Sequence, residues 1–303
     1  MNKETLGVIL AIGTAIISGV SIFANKWLSF SFDPIVFTAI RALIIGAIFL
    51  LFSLKINKWS FKKFAKVPWL YLLLIGIIGG GLAFWLFFSG LKLTTAGRAA
   101  FIHKTLPLFV TLLAFAFLKE KVSSKQWIAL LLMLLGLFFI SYSQINPSEW
   151  WSNPRLGDIL VLSATFLWGV ENIISKKAMI KGENNFIVAF SRMFFGAIFL
   201  FGLAVLLGKI GFFLSLTGSQ WIKLIASAIL LFGYVLTFYW SIKYISVSKA
   251  ATLLLLAPII TLILGIIILK EPVPILQLIG SALILLGAYF LVQKFGGETW
   301  QKN

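Results

Sequence analysis

The sequence Gly46-Ala47-Ile48-Phe49-Leu50 occurs twice in this chain, the second time as Gly196-Ala197-Ile198-Phe199-Leu200. Other matches follow in the same order, 150 or 151 residues apart: Gly19-Val20 with Gly169-Val170, Pro107 with Pro258, Lys119-Glu120 with Lys270-Glu271, and Gly136 with Gly287. Leucine-rich segments match by chance, so the Pro, Gly and Lys-Glu matches carry the conclusion. They indicate an internal duplication, and we expect the two units at residues 5–144 and 156–293.

The composition excludes an ordinary soluble enzyme. The chain has 303 residues, of which 60% are hydrophobic and 12% charged, and its mean hydropathy is +1.04. Soluble domains usually carry about 25% charged residues. A membrane-spanning helix needs roughly 20 mostly apolar residues, whereas a transmembrane barrel shows alternating strands of about ten residues. The sequence therefore predicts an all-α polytopic membrane protein.

Ten membrane-spanning helices are predicted. Six charge-free windows cover Leu6–Asn25, Val67–Leu91, Gln126–Ser148, Leu224–Ile242, Ala250–Leu269 and Pro272–Gln293, and four windows with internal charge cover about 34–54, 95–118, 156–177 and 185–208. Each half then contributes five spans. Because five is odd, the second half enters the membrane from the opposite side. Inverted repeats are typical of secondary transporters, with the substrate site near the midplane between them.

Basic residues predict the orientation. The formal net charge is +17, which topology explains without nucleic-acid binding. Sixteen of the 26 Lys and Arg residues fall on the side that holds both termini, including five in the 55–68 loop, and seven fall on the other side. Because cytoplasmic loops carry the excess of basic residues, we expect both termini in the cytoplasm and a location in the cell (inner) membrane.

Several motifs carry a family resemblance. These are Ser18-Gly19-Val20 and Trp168-Gly169-Val170 in the first helix of each half, Arg41 and Arg192 in the second, and a Pro followed by Lys-Glu in the fourth. The chain resembles the EamA-type branch of the drug/metabolite transporter superfamily over nearly its whole length. The resemblance implies a ten-helix transporter, often an exporter of amino acids or other small metabolites, with a central cavity between the halves.

Charged and aromatic residues inside the spans are the candidate substrate-binding residues. Lys104 and Glu171 are unmatched in the other half, and burying either charge alone is expensive. We expect Lys104 to face a carboxylate and Glu171, with Trp168 three residues before it on one helix face, to hold an ammonium group. The full candidate set is Lys104, Glu171, Trp168, His103, Trp85 and Asn172.

Other residues in the spans have structural interpretations. Pro107 and Pro258 should bend their helices, as hinges or as plain packing elements. Arg41 and Arg192 are predicted to hold helix ends or lipid headgroups, and Gly79-Gly80-Gly81 to allow close helix packing. A static ion pair between Lys104 and Glu171 is the structural alternative to a substrate site.

The functional hypothesis is a secondary transporter that exports a small, amino-acid-like metabolite by alternating access. One alternative is a proton-coupled exporter of cationic lipophilic drugs through Glu171, since the small multidrug resistance family is similar in using one glutamate in its first helix. A passive channel is the other alternative. No catalytic or phosphate-binding motif is visible and the chain has no Cys, so we expect no enzyme, cofactor or metal site, and a monomer.

Overall fold

The computed structural model describes residues 2–29, 32–56, 68–144 and 156–293, and within these ranges it contains helices and no strand. Among the described residues, ten helical segments are long and apolar enough to cross a membrane. In chain order the uninterrupted helices are Lys3–Leu28 (span 1), Pro34–Ile56 (span 2), Ser124–Tyr142 (span 5), Leu156–Ile180 (span 6), Asn185–Leu206 (span 7), Gly218–Tyr244 (span 8) and Ile275–Val292 (span 10). A short helix, Ile210–Leu214, connects spans 7 and 8.

The other three spans are interrupted helices. Span 3 consists of Trp69–Ile75, a π-helix over Gly76–Leu82, and Ala83–Leu91. Span 4 is split into Ala96–Lys104 and Leu106–Leu118, and span 9 into Val247–Leu253, a 3₁₀ turn at Leu254–Leu256, and Ala257–Leu269. In spans 4 and 9 the break directly precedes Pro107 and Pro258, which lack the backbone N–H that a continuous helix requires. The sequence predicts a bend at each proline, and the structure has an interruption of the helix there.

The packing of the spans follows the inverted repeat. Span 2 packs along span 7 and span 5 along span 10, which pairs equivalent helices of the two halves. Span 1 packs on spans 8 and 9, and span 6 packs correspondingly on spans 3 and 4. Each first helix is thus enclosed by the third and fourth helices of the opposite half. The prediction of ten spans in two inverted five-helix repeats is confirmed.

Because the number of spans is even, the start of span 1 and the end of span 10 lie on one side of the membrane, here called the termini side. The opposite side is called the far side. The lysine-rich 55–68 loop, expected on the termini side, lies largely outside the described residues.

The duplicated Lys-Glu motif ends a helix in both halves. Lys119 has φ 54° and Lys270 has φ 53°, and they are the only non-glycine residues with positive φ in the described ranges. The following N–H groups of Glu120 and Glu271 reach back to Ala114 O at 3.2 Å and Gly265 O at 3.3 Å. Each bond joins residues six positions apart, one more than the 6→1 bond of a Schellman motif, and the left-handed lysine and this wider return end spans 4 and 9 in the same way.

Candidate functional site

Glu171 is the centre of a buried polar cluster between the two halves. The residue is completely shielded in span 6, and its Oε1 accepts hydrogen bonds from Ser175 Oγ and Tyr239 OH, both at 2.6 Å. Arg192 Nη1 in span 7 lies 3.5 Å from Glu171 Oε2. Both side chains are at most 10% exposed, so the pair neutralises two charges that the bilayer would not solvate.

Glycines in span 3 make room for this cluster. A Cβ at Gly79 would lie 2.2 Å from Glu171 Cγ, and one at Gly80 would lie 2.0 Å from Arg192 O. Only a residue without a side chain fits at either position. Both glycines lie in the π-helix Gly76–Leu82, a type of turn that recurs at functional sites. The predicted close packing at Gly79-Gly80-Gly81 is confirmed, and its neighbour is the ion pair itself.

Trp168 forms an aromatic wall one turn before Glu171. Its Nε1 donates to Gly79 O at 2.9 Å, and its ring centroid lies 4.7 Å from His103, 5.1 Å from Phe84 and 5.4 Å from Phe87. Spans 3, 4 and 6 therefore meet at this ring.

Three buried polar atoms near Trp168 have no hydrogen-bond partner in the described part of the chain. They are His103 Nδ1, Asn172 Oδ1 and Glu171 Oε2. Asn172 itself is anchored by its Nδ2, which donates to Trp168 O at 2.8 Å. Because buried polar groups are normally hydrogen-bonded, these atoms mark a place where a water molecule or a ligand can bind.

Lys104 does not pair with Glu171, so the static ion pair, which was the structural alternative to a substrate site, is not formed. Lys104 is half-buried at the last residue of the first helix of span 4, beside His103. None of the ion pairs or hydrogen bonds among the described residues involves its Nζ. Arg192 is the cation next to Glu171, and Lys104 is a cation in span 4 without an ionic partner in the described part of the chain.

The two arginines also differ from their predicted role at helix ends or lipid headgroups. Arg41 Nη1 donates to Ser227 Oγ in span 8 at 2.7 Å, and that hydroxyl donates to Asn25 Oδ1 in span 1 at 2.6 Å. Arg192 binds Glu171. Both side chains turn toward neighbouring spans, because polar groups of the protein solvate a guanidinium at this depth when lipid cannot.

Trp85 is not part of the Trp168 wall. It packs on a separate hydrophobic cluster built by Ile35 and Ala39 of span 2 with Leu200 and Ala204 of span 7. Pro107 and Pro258 lie at the breaks in spans 4 and 9, and Pro107 follows Lys104 by three residues. The structure thus brings together four of the candidate residues: Glu171, Trp168, His103 and Asn172. Lys104 is the sequence neighbour of His103, and Trp85 lies in a different cluster.

Sequence reasoning did not include Arg192, Tyr239 and Ser175 in the site. Ser175 follows Glu171 by four residues, which is a helical neighbour position, and could have been found from spacing. Arg192 was recognisable as a cation inside a predicted span of the second half, but Lys104 offered a competing partner. Tyr239 carried no signal, since one tyrosine in an apolar span is ordinary.

In the described ranges, no group of three or more His, Asp or Glu residues could hold a metal ion. The cluster offers one neutralised carboxylate, one ammonium group without an ionic partner among the described residues, and an aromatic surface.

The comparison with protein families decides the identity of this fold. The model described as the EamA-like transporter family matches residues 5–142 and again residues 155–293. This chain belongs to the EamA-like transporter family. Two matches in one chain correspond to the two repeats, and the expected resemblance is confirmed.

Proteins that are similar over nearly the whole chain are also named transporters. The uncharacterized transporter YoaV of Bacillus subtilis (strain 168) is 26% identical over 298 residues, which are 95% of this chain and 96% of that protein. An uncharacterized transporter of Archaeoglobus fulgidus is 27% identical over 277 residues, 91% of this chain and 95% of its own. One solved crystal structure has a TM-score of 0.78 at 18% identity, covering 95% of this chain and 98% of that one, and shares the fold.

The buried pair allows a test of its contribution to stability. Glu171→Gln leaves Arg192 buried without a counter-ion, and breaking a buried pair in this way typically costs about 3–5 kcal/mol. We expect a clear fall in the melting temperature of the purified protein in detergent, followed by tryptophan fluorescence. The double variant Glu171→Gln with Arg192→Gln should recover much of the loss.

The matched control is Glu183→Gln, in the loop after span 6, which should melt like the unaltered protein. If the losses of the two single variants simply add in the double variant, the two residues are not coupled and the pair has no stabilising role.

Proposed function

We propose that this EamA-family protein is a secondary transporter that moves a small, amino-acid-like metabolite out of the cell by alternating access. The observation that carries the proposal is the arrangement at Trp168. An aromatic wall, three buried polar atoms without a hydrogen-bond partner among the described residues, and Lys104 without an ionic partner there lie on neighbouring turns of spans 4 and 6. An amphipathic molecule with a carboxylate complements this surface, because its negative charge pairs with Lys104 and its apolar part contacts Trp168.

Each candidate residue has a role in this proposal. Lys104 pairs with the substrate carboxylate, Trp168 and His103 contact its apolar part, and Asn172 accepts a hydrogen bond through Oδ1. Glu171 binds substrate only through Oε2, because Ser175 and Tyr239 already occupy Oε1. Trp85, in a different hydrophobic cluster, supports span 3 rather than touching substrate.

Alternating access is supported by a difference between the two ends of spans 4 and 9. On the termini side, Glu120 at the end of span 4 accepts hydrogen bonds from Val247 N at 2.9 Å and Ser248 Oγ at 2.7 Å at the start of span 9. On the far side, the equivalent Glu271 is exposed, and none of the hydrogen bonds of the described residues involves its carboxylate. We propose that this arrangement is the state closed on the termini side, with Pro107 and Pro258 as the hinges.

The proposed orientation has both termini in the cytoplasm of the cell (inner) membrane. Its support is the excess of basic residues on the termini side, sixteen against seven, according to the positive-inside rule. We propose that the monomer is the working unit, because the two repeats already enclose the Trp168 and Glu171 cluster within one chain.

A second candidate is a proton-coupled exporter of cationic lipophilic compounds. Glu171 Oε2 has no hydrogen-bond partner, and a carboxylate that exchanges a proton for a cation needs one free oxygen. The nearby Arg192, 3.5 Å away, weighs against it, since its positive charge repels a cationic substrate. A passive channel, in contrast, would not saturate.

Transport by reconstituted protein tests the proposal. We expect proteoliposomes to take up radiolabelled amino acids or short carboxylic acids with saturation and counterflow, and not to move a quaternary ammonium dye. Lys104→Met should fold and raise the KM by tenfold or more, because a lost charge-assisted hydrogen bond is worth about 1.5–3 kcal/mol. Cells that express the protein should also lose preloaded substrate faster.

Lys223→Met is the matched control, because Lys223 lies near the far-side end of span 8, away from the cluster, and this variant should transport normally. Unsaturable flux would identify a channel, and dye transport would identify the cationic exporter. Normal kinetics in Lys104→Met would contradict the role of Lys104.

The orientation has its own test, because the chain contains no Cys and single cysteines can be introduced. Ser124→Cys at the start of span 5 is on the termini side, and Ser215→Cys before span 8 is on the far side; both positions are exposed. In intact cells, an impermeant thiol reagent should label the cysteine at position 215 and not the one at 124. The reverse pattern would invert the topology and with it the assignment of the closed end.

The closed end can be opened by one substitution. Glu120→Gln removes the carboxylate charge that holds the start of span 9, so we expect more frequent opening on the termini side. A reporter Thr252→Cys, which is buried there at 3% exposure, should react several-fold faster with a membrane-permeant maleimide. Glu271→Gln on the far side is the matched control and should leave the labelling rate unchanged. Equal rates in the two variants would show that Glu120 does not hold this end closed.

A further inference from the structure

Arg41 is a buried cation without an acidic partner. Arg41 is 8% exposed, and none of the ion pairs in the described ranges includes it. Nη1 donates to Ser227 Oγ at 2.7 Å, and the guanidinium carbon lies 4.0 Å from the centre of the Phe37 ring. Nε is buried and has no hydrogen-bond partner. Neutral groups thus surround a full positive charge.

In the second half of the protein, the corresponding arginine has the carboxylate partner that Arg41 lacks. Arg41 and Arg192 lie in corresponding spans, one residue out of register with the Gly46–Leu50 repeat. Arg192 contacts the first helix of its own half directly through Glu171, whereas Arg41 is linked to span 1 through the Ser227 hydroxyl. At the offset of 150 residues, Glu171 corresponds to Ser21 and Ser175 to Asn25. Asn25 and Ser21 form the same hydrogen-bonded pair, at 2.9 Å, one helical turn apart. The first half therefore has a polar pair at the matching positions, but it has neither the carboxylate of Glu171 nor a tyrosine at the position that matches Tyr239.

The groups around Arg41 can accommodate an anion. Arg41 Nε–H is a free donor, the Ser227 hydroxyl can turn to donate, and the Asn25 amide carries two N–H groups. All three residues lie within a few turns of the far-side ends of their helices, so an ion from that side has a short path. A charge in a membrane span is tolerated when a counter-ion accompanies it, and hydroxyl and amide dipoles alone provide none.

We propose that Arg41, Ser227 and Asn25 form a binding site for a small monovalent anion, either a halide or the carboxylate end of an organic acid. The bound anion takes the place that the Glu171 carboxylate occupies beside Arg192 in the second half. This proposal concerns binding alone and does not depend on which molecule the protein transports.

Melting of the purified full-length protein tests the site. Sodium chloride, or sodium acetate in a parallel series, replaces sodium gluconate at constant total salt. Because a ligand that binds only the folded state stabilises it in proportion to the logarithm of one plus its concentration over Kd, we expect the melting temperature to rise steadily with one or both anions. A response to chloride alone identifies a halide site, and a response to acetate alone identifies a carboxylate site.

Asn25→Asp is the decisive variant, because it keeps Arg41 and supplies a fixed carboxylate of the same size. We expect it to fold, to melt higher than the unaltered protein in gluconate, and to lose the response to the anion. Arg41→Gln should lose the response as well. The matched control Asn184→Asp, at the cap of span 7 on the termini side, should retain it. Absence of any response in the unaltered protein, or a response that survives in Asn25→Asp, would overturn the proposal.

Discussion

A bilayer does not solvate a buried carboxylate, so Glu171 must be neutralised by the protein, and much of the central packing follows from that requirement. Arg192 provides the counter-charge from span 7, and Tyr239 and Ser175 complete the hydrogen bonds from span 8 and from span 6 itself. Both partners sit against glycine backbone in span 3. Four spans from both halves therefore converge on one ion pair, and none of them can shift far without uncovering a charge.

The π-helix in span 3 is a consequence of the same crowding. Its wide turn places Gly79 and Gly80 where side chains would overlap Glu171 and Arg192, and it directs Gly79 O toward the Trp168 indole at 2.9 Å. A regular helix with ordinary residues would force spans 3, 6 and 7 apart. The π-helix thus contacts both the aromatic wall at Trp168 and the Glu171–Arg192 ion pair.

The sequence predicted the parts of this architecture that depend on composition and period. Ten spans, the inverted duplication and the breaks at Pro107 and Pro258 follow from apolar length, offset matches and the missing proline N–H. Partner choice did not follow, because a sequence shows which charges are buried and not which of two cations, Lys104 or Arg192, faces Glu171. The left-handed caps at Lys119 and Lys270 were visible only as an unexplained Lys-Glu repeat, since lysine has no preference for that conformation.

The duplication gives two similar ends, and we propose that the differences between them decide which end is closed. Thr95 and Ser246 cap the starts of spans 4 and 9 alike, each accepting from a residue three positions on. Only span 9 continues with Ser248, whose hydroxyl binds Glu120; span 4 has Gly97 there, and offers Glu271 no hydroxyl. Hydrogen bonds to a charged group contribute about 1.5–3 kcal/mol each, and about 5.5 kcal/mol moves a two-state equilibrium from 1:99 to 99:1. In the proposed mechanism of alternating access, the contacts of Glu120 are thus strong enough to favour one end of a symmetric scaffold, and weak enough for a ligand bound more tightly by the other state to reverse the preference.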